Sequence, residues 1–443
     1  MQIILLCGGS GQRLWPLSNP IRSKMFLELL PSPDGGIESM IGRVCRQLFQ
    51  QGLGESALFI THQYQTGLTK RYTNNCIPVI GEPWKRGTFT AAALGTLFLH
   101  YQGKLKSDET ICVAPADMYA DDDFFGHFHA FPDILKDSQA DIALLGTRPT
   151  YPSDQYGYIL SGSGNSTVYT PVIGFQEKPE IAQAEKLIQQ QALWNCGVFA
   201  FSVQFMLTYL EQMGLPTDYN NFLALYPHLP VRSFDKEVVE HTSKLVVTRH
   251  DGEWRDLGSW ESLTGKLPCS VIGEGGIWGE TTNTHVINEL KVPLYVIGVS
   301  DIVAIASPDG ILVAQKDQAN EIKEIVASPS NPPLYGETQW GSYSILDVTE
   351  DVEASVSTAI TLKLTILPNH STHEHCCEHL YKIWTIVSGR GEVMLDHTVQ
   401  PAAAGDVFTI PRGVCHEIRA FTAMNWIEVR KGKGILDETI YVG

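Results

Sequence analysis

The sequence predicts a layered α/β fold over residues 1 to about 265 and an all-β C-terminal third. Three observations carry that reading. Up to residue 265, short apolar runs alternate with longer amphipathic stretches, the pattern of strands and covering helices in a mostly parallel sheet. Residues 266–335 are short β-like segments rich in Gly and Asn, ending in Ser328-Pro329-Ser330-Asn331-Pro332-Pro333, a linker composition. Beyond them Ile360–Leu367 alternates apolar and polar residues. Tyr381–Val387, Gly391–Leu395 and Val407–Ile410 follow, separated by Gly or Pro turns, as in a small antiparallel barrel. A chain of 443 residues exceeds one ordinary core, so two or three domains are expected.

The chain opens on the apolar run Ile3–Leu6, read as a buried parallel strand. Gly8-Gly9-Ser10-Gly11 follows, where missing Cβ atoms let backbone N–H groups approach a polyphosphate. Arg13 and Lys24 add two cations beside it. This loop matches neither the Walker pattern nor the dinucleotide fingerprint. Further strands are expected at Ser56–Thr61, Thr110–Ala114, Ile142–Gly146 and Val198–Phe201, and helices at Ile41–Gln51, Thr90–Tyr101 and Glu180–Gln191.

Several motifs fall after strands, where ligands of parallel sheets bind. Glu82–Thr88 leads into an alanine-rich helix that Thr88 or Thr90 is expected to cap, leaving an anion-binding N-terminus. Asp117, just past Thr110–Ala114, is a natural Mg²⁺ ligand or, equally, a helix cap. Glu177 and Lys178 alternate to opposite faces of a strand unless a bulge before Pro179 turns both to one pocket. Glu accepts hydroxyls and Lys holds a phosphate, although a surface ion pair is the plainer reading. Asn195 stands at the start of a strand, and Asp256 in a tight turn supplies a second carboxylate.

The net charge of −17, with no block of Lys or Arg, argues against nucleic acid and for a small phosphorylated ligand held by a few cations. No run approaches the ~18 apolar residues of a membrane span, and Met1 runs straight into the first strand, so no export leader and no membrane partner are expected. Nine cysteines, odd in number and irregularly spaced, are read as reduced thiols of a cytoplasmic protein, with Cys376-Cys377 the one pair set apart.

Leu6–Ser18 (LCGGSGQRLWPLS) resembles the signature of the sugar-1-phosphate nucleotidyltransferases, and its Leu-Trp-Pro-Leu-Ser ending that of the mannose-1-phosphate guanylyltransferases. Glu82–Thr88, Pro115–Asp117, Tyr156–Ile159, Phe175–Pro179, Trp194–Phe199 and Trp254–Trp260 resemble the family's later motifs in order, as do Gly298–Val313 and Gln315–Val326. The resemblance implies a Rossmann-like nucleotidyltransferase domain over 1–265, a short β-helix-like segment and linker over 266–335, and a cupin β-barrel over 336–443. It implies that Leu6, Gly8, Gly9, Gly11, Glu82, Arg86 and Thr88 bind the nucleotide. Arg13 and Lys24 would neutralise the triphosphate, and Asp117 and Asp256 would hold Mg²⁺. Gly157, Glu177 and Asn195 would bind sugar hydroxyls, and Lys178 the sugar phosphate.

The implied reaction is GDP-mannose and pyrophosphate from GTP and mannose 1-phosphate, by in-line attack without a protein nucleophile. A homodimer is a further expectation of the resemblance. The sequence departs from the family at Cys7, Gln12, Ser23, Arg86–Ala91, Met118 and Arg255, around the nucleotide. Another nucleotide or hexose 1-phosphate therefore stays open, as does a non-catalytic sugar-nucleotide-binding regulator.

In the last third, Gly405-Asp406, Pro411-Arg412-Gly413 and His416 resemble the second cupin motif. Trp340–Tyr343 resembles the start of the mannose-6-phosphate isomerase half of bifunctional relatives. Three of the four family ligand positions fall on His375, Cys377 and Lys382, and only His416 is kept. A lysine ammonium repels Zn²⁺, so isomerase activity is not expected. A shifted Zn²⁺ site drawn from His373, His375, Cys377, Glu378, His379 and His416 is the alternative. The chain stops at Gly443, short of the basic segment of active isomerases.

Overall fold

The computed structural model describes residues 1–9, 12–164, 166–326, 333–350 and 358–432. Two compact units emerge, and they do not follow chain order: one comprises Met1–Gly9 with Glu28–Leu257, the other Ser10–Leu27 with Gly258–Gly443. The glycine turn is thereby divided from Arg13 and Lys24. Ser10 and Gly11, the linker 327–332 and the C-terminal residues 433–443 lie outside the described residues.

The first unit is built on a nine-stranded sheet. Its order is Val79–Glu82, Ala57–His62, Gln2–Cys7, Thr110–Pro115, Leu193–Ser202, Ile142–Thr147, Leu245–His250, Thr170–Gln176, Tyr158–Ser161. Seven strands run one way; Leu193–Ser202 and Thr170–Gln176 run against them. Aliphatic runs form the middle of the sheet because both its faces are covered: Ile3, Ile4, Leu5, Ile111, Cys112 and Val113 are all fully buried. The predicted strands and helices lie within a few residues of those observed, with helices at Met40–Gln50, Thr88–Tyr101 and Ile181–Gln189.

One capping expectation is corrected. The helix Thr88–Tyr101 starts after Gly87, and neither threonine caps it. Thr88 Oγ1 instead accepts from the Phe234 N–H at 2.8 Å, and Thr90 Oγ1 donates to the Arg86 carbonyl at 3.1 Å. Both hydroxyls are spent on chain segments that compete with the cap.

In the second unit, Val271–Gly273, His285–Asn288 and Ile302–Ser307 stack as parallel rungs, with a second parallel pair, Gly275–Trp278 and Leu294–Ile297. Val286, Val296, Ile302 and Ala304 fill the space between. The C-terminal barrel is a six-stranded and a four-stranded antiparallel sheet around Trp340, Trp384, Trp426 and aliphatic neighbours. Residues 10–27 belong structurally to this unit. Trp260 Nε1 donates to the Trp15 carbonyl at 3.3 Å, Ser307 Oγ to the Pro16 carbonyl at 2.7 Å, and Asn19 Nδ2 to Asp309 Oδ2 at 2.6 Å. The nearly buried Arg22 pairs with Glu289 and with Glu337, each at 2.9 Å, and Ile21 packs on the barrel core.

The reading of all cysteines as reduced thiols is also corrected. Across the pair His375–Cys376 and Cys415–Ala420, His375 faces His416 and Cys376 faces Cys415, and the two cysteines form a disulfide. Directly opposed antiparallel residues bring Cα atoms to bridging distance, here 4.1 Å. The other seven cysteines form no disulfide.

Candidate active site

In the first unit Gly8 and Gly9 follow the parallel strand Gln2–Cys7, Arg86 follows Val79–Glu82 and Asp117 follows Thr110–Pro115, at the carboxyl ends where ligands of such sheets bind. Gly8 and Gly9 leave the first strand and are exposed. A Cβ on Gly9 would stand 3.2 Å from Asp117 Oδ2, so the glycine lets the carboxylate close over the turn. Burial, and then Asp117, push the Cys7 thiol up, so the family departure at Cys7 places an inert neutral side chain below the turn.

Asp117 and Asp256, 139 positions apart in the chain, are made neighbours by a short ribbon. Met118–Ala120 pairs antiparallel with Trp254–Asp256, setting Asp256 opposite Met118, the residue after Asp117. Along Trp254–Asp256, Arg255 turns outward to Glu253, 3.1 Å away, so that departure leaves the carboxylate's side of the strand unchanged. Two carboxylates beside a glycine turn are the donor set Mg²⁺ takes alongside phosphate oxygens, and these residues fit that ion.

A second cluster joins Gly157, Glu177, Lys178 and Asn195. The Asn195 N–H donates to the Gly157 carbonyl at 2.8 Å, and a Cβ on Gly157 would collide with Glu177 Oε2 at 2.7 Å. Lys178 adopts a left-handed conformation with φ of 45°, which turns it back on Glu177: Nζ lies 3.3 Å from Glu177 Oε1. The open question of opposite faces is thus answered by a local kink in place of a bulge. The Lys178 side chain is 57% exposed while that of Glu177 is 9% exposed, so the lysine end is free to swing to a ligand.

The cluster contains a residue that the motif reading missed. Asp235, in the short helix Phe234–Glu237, accepts from Asn195 Nδ2 at 2.8 Å. Burial first, and then the charge of Glu177, push its carboxyl up to about 7. Near neutral pH the Asp235 carboxyl is therefore partly protonated. Tyr156 forms the hub of three motifs, its ring centroid 4.6 Å from Trp194 and 5.5 Å from Trp254. The indole N–H groups of those two tryptophans are buried and meet no acceptor among the described residues. Each such donor costs about 1–3 kcal/mol, a burden characteristic of sites that await a ligand or water.

The expected nucleotide residues Glu82, Arg86 and Thr88 brace the segment that carries Asp235. Tyr226 donates to Glu82 Oε2 at 2.6 Å, Arg86 donates to the Pro227 carbonyl, and Thr88 holds Phe234. Burial raises the Glu82 carboxyl. Arg13 sits in the short helix Gln12–Leu14 and Lys24 in Lys24–Phe26, both of the second unit. A separate groove of about 1000 Å³ in the first unit, lined by Arg148, Tyr169, Arg249 and Asp251 among others, contains none of the motif residues.

In the barrel, ligating atoms of His375, Cys377 and His416 lie within 4.8 Å of one another, as the shifted Zn²⁺ site requires. Lys382 is there too: Nζ is 3.0 Å from His416 Nε2 and 3.3 Å from His375 Nε2. Burial, then Lys382, lower both imidazoles, His416 to about 3. With an ammonium against both nitrogens, the donor set as it stands does not fit a metal ion.

A nucleotidyl transferase family model matches residues 2–267, a MannoseP isomerase/GMP-like beta-helix domain model residues 280–328, and a cupin domain model residues 362–430. The alginate biosynthesis protein AlgA of Pseudomonas fluorescens is 26% identical over 99% of this chain and 94% of its own. A mannose-1-phosphate guanylyltransferase of Salmonella muenchen is likewise 26% identical, over 99% and 96%. A crystal structure described as mannose-1-phosphate geranyltransferase from Thermus thermophilus superposes with a TM-score of 0.61 at 28% identity, covering 74% of this chain and 98% of that one. No helix among the described residues is long and apolar enough to cross a membrane. With more than half its length matched, and the β-helix and cupin domains following in order, the chain belongs to the nucleotidyl transferase family.

Proposed function

We propose that this protein makes GDP-mannose and pyrophosphate from GTP and mannose 1-phosphate in the cytoplasm, as a homodimer, and that its cupin barrel has no isomerase activity. The observation that carries the reading is the cluster of Gly157, Glu177, Lys178, Asn195 and Asp235 in the same unit as the paired Asp117 and Asp256. Glu177 and Asn195 accept and donate to sugar hydroxyls, and Asp235, in its protonated form, donates a hydrogen bond that an ionised acid could not. Lys178 swings from Glu177 to the sugar phosphate. Arg13 and Lys24, assigned from the signature they sit in, take the triphosphate.

Asp117 and Asp256 would hold Mg²⁺, which would supply charge neutralisation to the reacting phosphates. A sugar-phosphate oxygen attacks the α-phosphorus in line, the α–β anhydride bond breaks, and pyrophosphate leaves with the electron pair. The protein's part is positioning and charge stabilisation. Purified protein with Mg²⁺, GTP and mannose 1-phosphate should release pyrophosphate stoichiometric with GDP-mannose; no release with any nucleotide and sugar phosphate would refute the assignment. Addition of Zn²⁺ should give no interconversion of mannose 6-phosphate.

A second reading keeps the chemistry and changes the nucleotide. It is favoured by Arg86, whose guanidinium is bonded to the Pro227 carbonyl within a segment that departs from the family. A panel of four nucleoside triphosphates separates the two. The non-catalytic regulator is separated by Asp117→Asn, which on that reading leaves the biological role intact.

A further inference from the structure

The inner face of the barrel strand Leu380–Ser388 carries Leu380, Lys382, Trp384 and Ile386, all buried. A lysine is out of place in such a series, and what surrounds it explains how it is kept. The Nδ1 atoms of His375 and His416 lie 2.9 Å from the carbonyl oxygens of His373 and Val414. A carbonyl only accepts, so each Nδ1 carries the proton, and each neutral ring presents an Nε2 lone pair. Both lone pairs converge on Lys382 Nζ.

Backbone carbonyls orient metal-binding histidines in this same way, and here the cation is supplied by the chain itself. The buried Glu428 sets one carboxylate against the two cations Lys382 and Arg430. Trp384 Nε1 donates to its Oε2 at 2.6 Å, Arg430 donates to its Oε1, and the strand register sets Lys382 opposite Arg430 and Trp384 opposite Glu428. Arg430, then Lys382, pull the Glu428 carboxyl down to about 2, so it stays ionised.

We propose that the Lys382 ammonium is a built-in replacement for a divalent cation: it holds the barrel in a metal-independent form and masks a His375–Cys377–His416 site that opens when the ammonium is removed. Geometry decides between this and a working metal site. An ion bound by both Nε2 atoms has to occupy the space Nζ fills, and the displaced ammonium would remain buried beside it.

Co²⁺ is the probe, because a cobalt–thiolate bond to Cys377 gives a charge-transfer absorption distinct from Co²⁺ bound by carboxylates elsewhere. The full chain, its disulfide intact, is titrated as wild type, C377S, Lys382→Ala, Lys382→Met and Lys382→Ala/C377S, with circular dichroism to verify the barrel. The expected result is a wild-type spectrum identical to that of C377S. Lys382→Ala and the near-isosteric Lys382→Met should gain the band at one equivalent, at least 100-fold tighter than any wild-type binding, and Lys382→Ala/C377S should lose it. A wild-type band that C377S abolishes overturns the proposal, and so does a folded Lys382→Ala or Lys382→Met with no band. If neither lysine variant keeps the barrel, the wild-type titration decides the metal-independence by itself, and the masked site is overturned.

Discussion

Two regions of this molecule gather ionisable groups in the interior and settle their charges in opposite ways. In the first unit, burial and then the charge of Glu177 raise the Asp235 carboxyl to about 7, so that it takes up a proton near neutral pH. In the barrel, Lys382 meets two neutral imidazoles, while Glu428 is bonded to Arg430 and feels the charge of both cations. The first cluster keeps hydrogen-bonding capacity for a visitor; the second has consumed it. The first arrangement keeps an ionisable acid near neutral pH, whereas the second holds its groups in hydrogen bonds within the chain.

The sharpest break of that contrast is to neutralise the carboxylates of the first unit. Asp117→Asn and Asp256→Asn should each lower pyrophosphate release by about 10³-fold or more while leaving the fold intact. Comparable loss from Lys382→Met would contradict the division. Next in size, Glu428→Ala strips the barrel cations of their counter-charge and should cost about 3–5 kcal/mol in denaturant unfolding. The wild-type carboxyl is depressed to about 2 from an ordinary 4.5, so its stabilising contribution is present above pH 4.5 and disappears as pH falls through 2. Acid titration of the variant should lack that loss.

Asp235 has the opposite sign. Its carboxyl is raised from 3.8 to about 7, so its contribution is fully present below pH 3.8 and is lost as pH rises through 7. Asp235→Asn should remove this slope, a few kcal/mol between pH 4 and 7, and should abolish an inflection near 7 in kcat/KM. An unchanged pH profile would count against a raised Asp235 carboxyl. Smallest is Lys178→Ala. Its exposed pair with Glu177 is worth less than about 1 kcal/mol to the fold, yet KM for the sugar phosphate should rise roughly tenfold, about 1.4 kcal/mol, with kcat little altered.

The strands were legible because fully buried aliphatic runs such as Thr110–Ala114 have few other uses. The Asp117–Asp256 pairing was legible only through family likeness, since a three-residue ribbon has no periodicity to read. Asp235 left no signal: it sits in a four-residue helix of ordinary composition, and only its contact with Asn195 marks it. The Cys376–Cys415 bridge spans 39 residues and depends on strand register, which spacing does not encode. Lys382 was the reverse case, visible in the sequence as an intruder at a ligand position, with its purpose hidden until the two histidine lone pairs were found aimed at it.

The passage of residues 10–27 into the second unit sets the terms on which this protein can be dissected or evolve. The backbone crosses between units at Gly9–Ser10, Leu27–Glu28 and Leu257–Gly258. No single cut yields two intact halves: a truncation after residue 257 keeps the segment bearing Arg13 and Lys24 and discards Glu289, Asp309, Ser307 and Glu337, to which that segment is tied. Selection on the signature loop thus extends to the C-terminal unit, whatever chemistry the barrel performs.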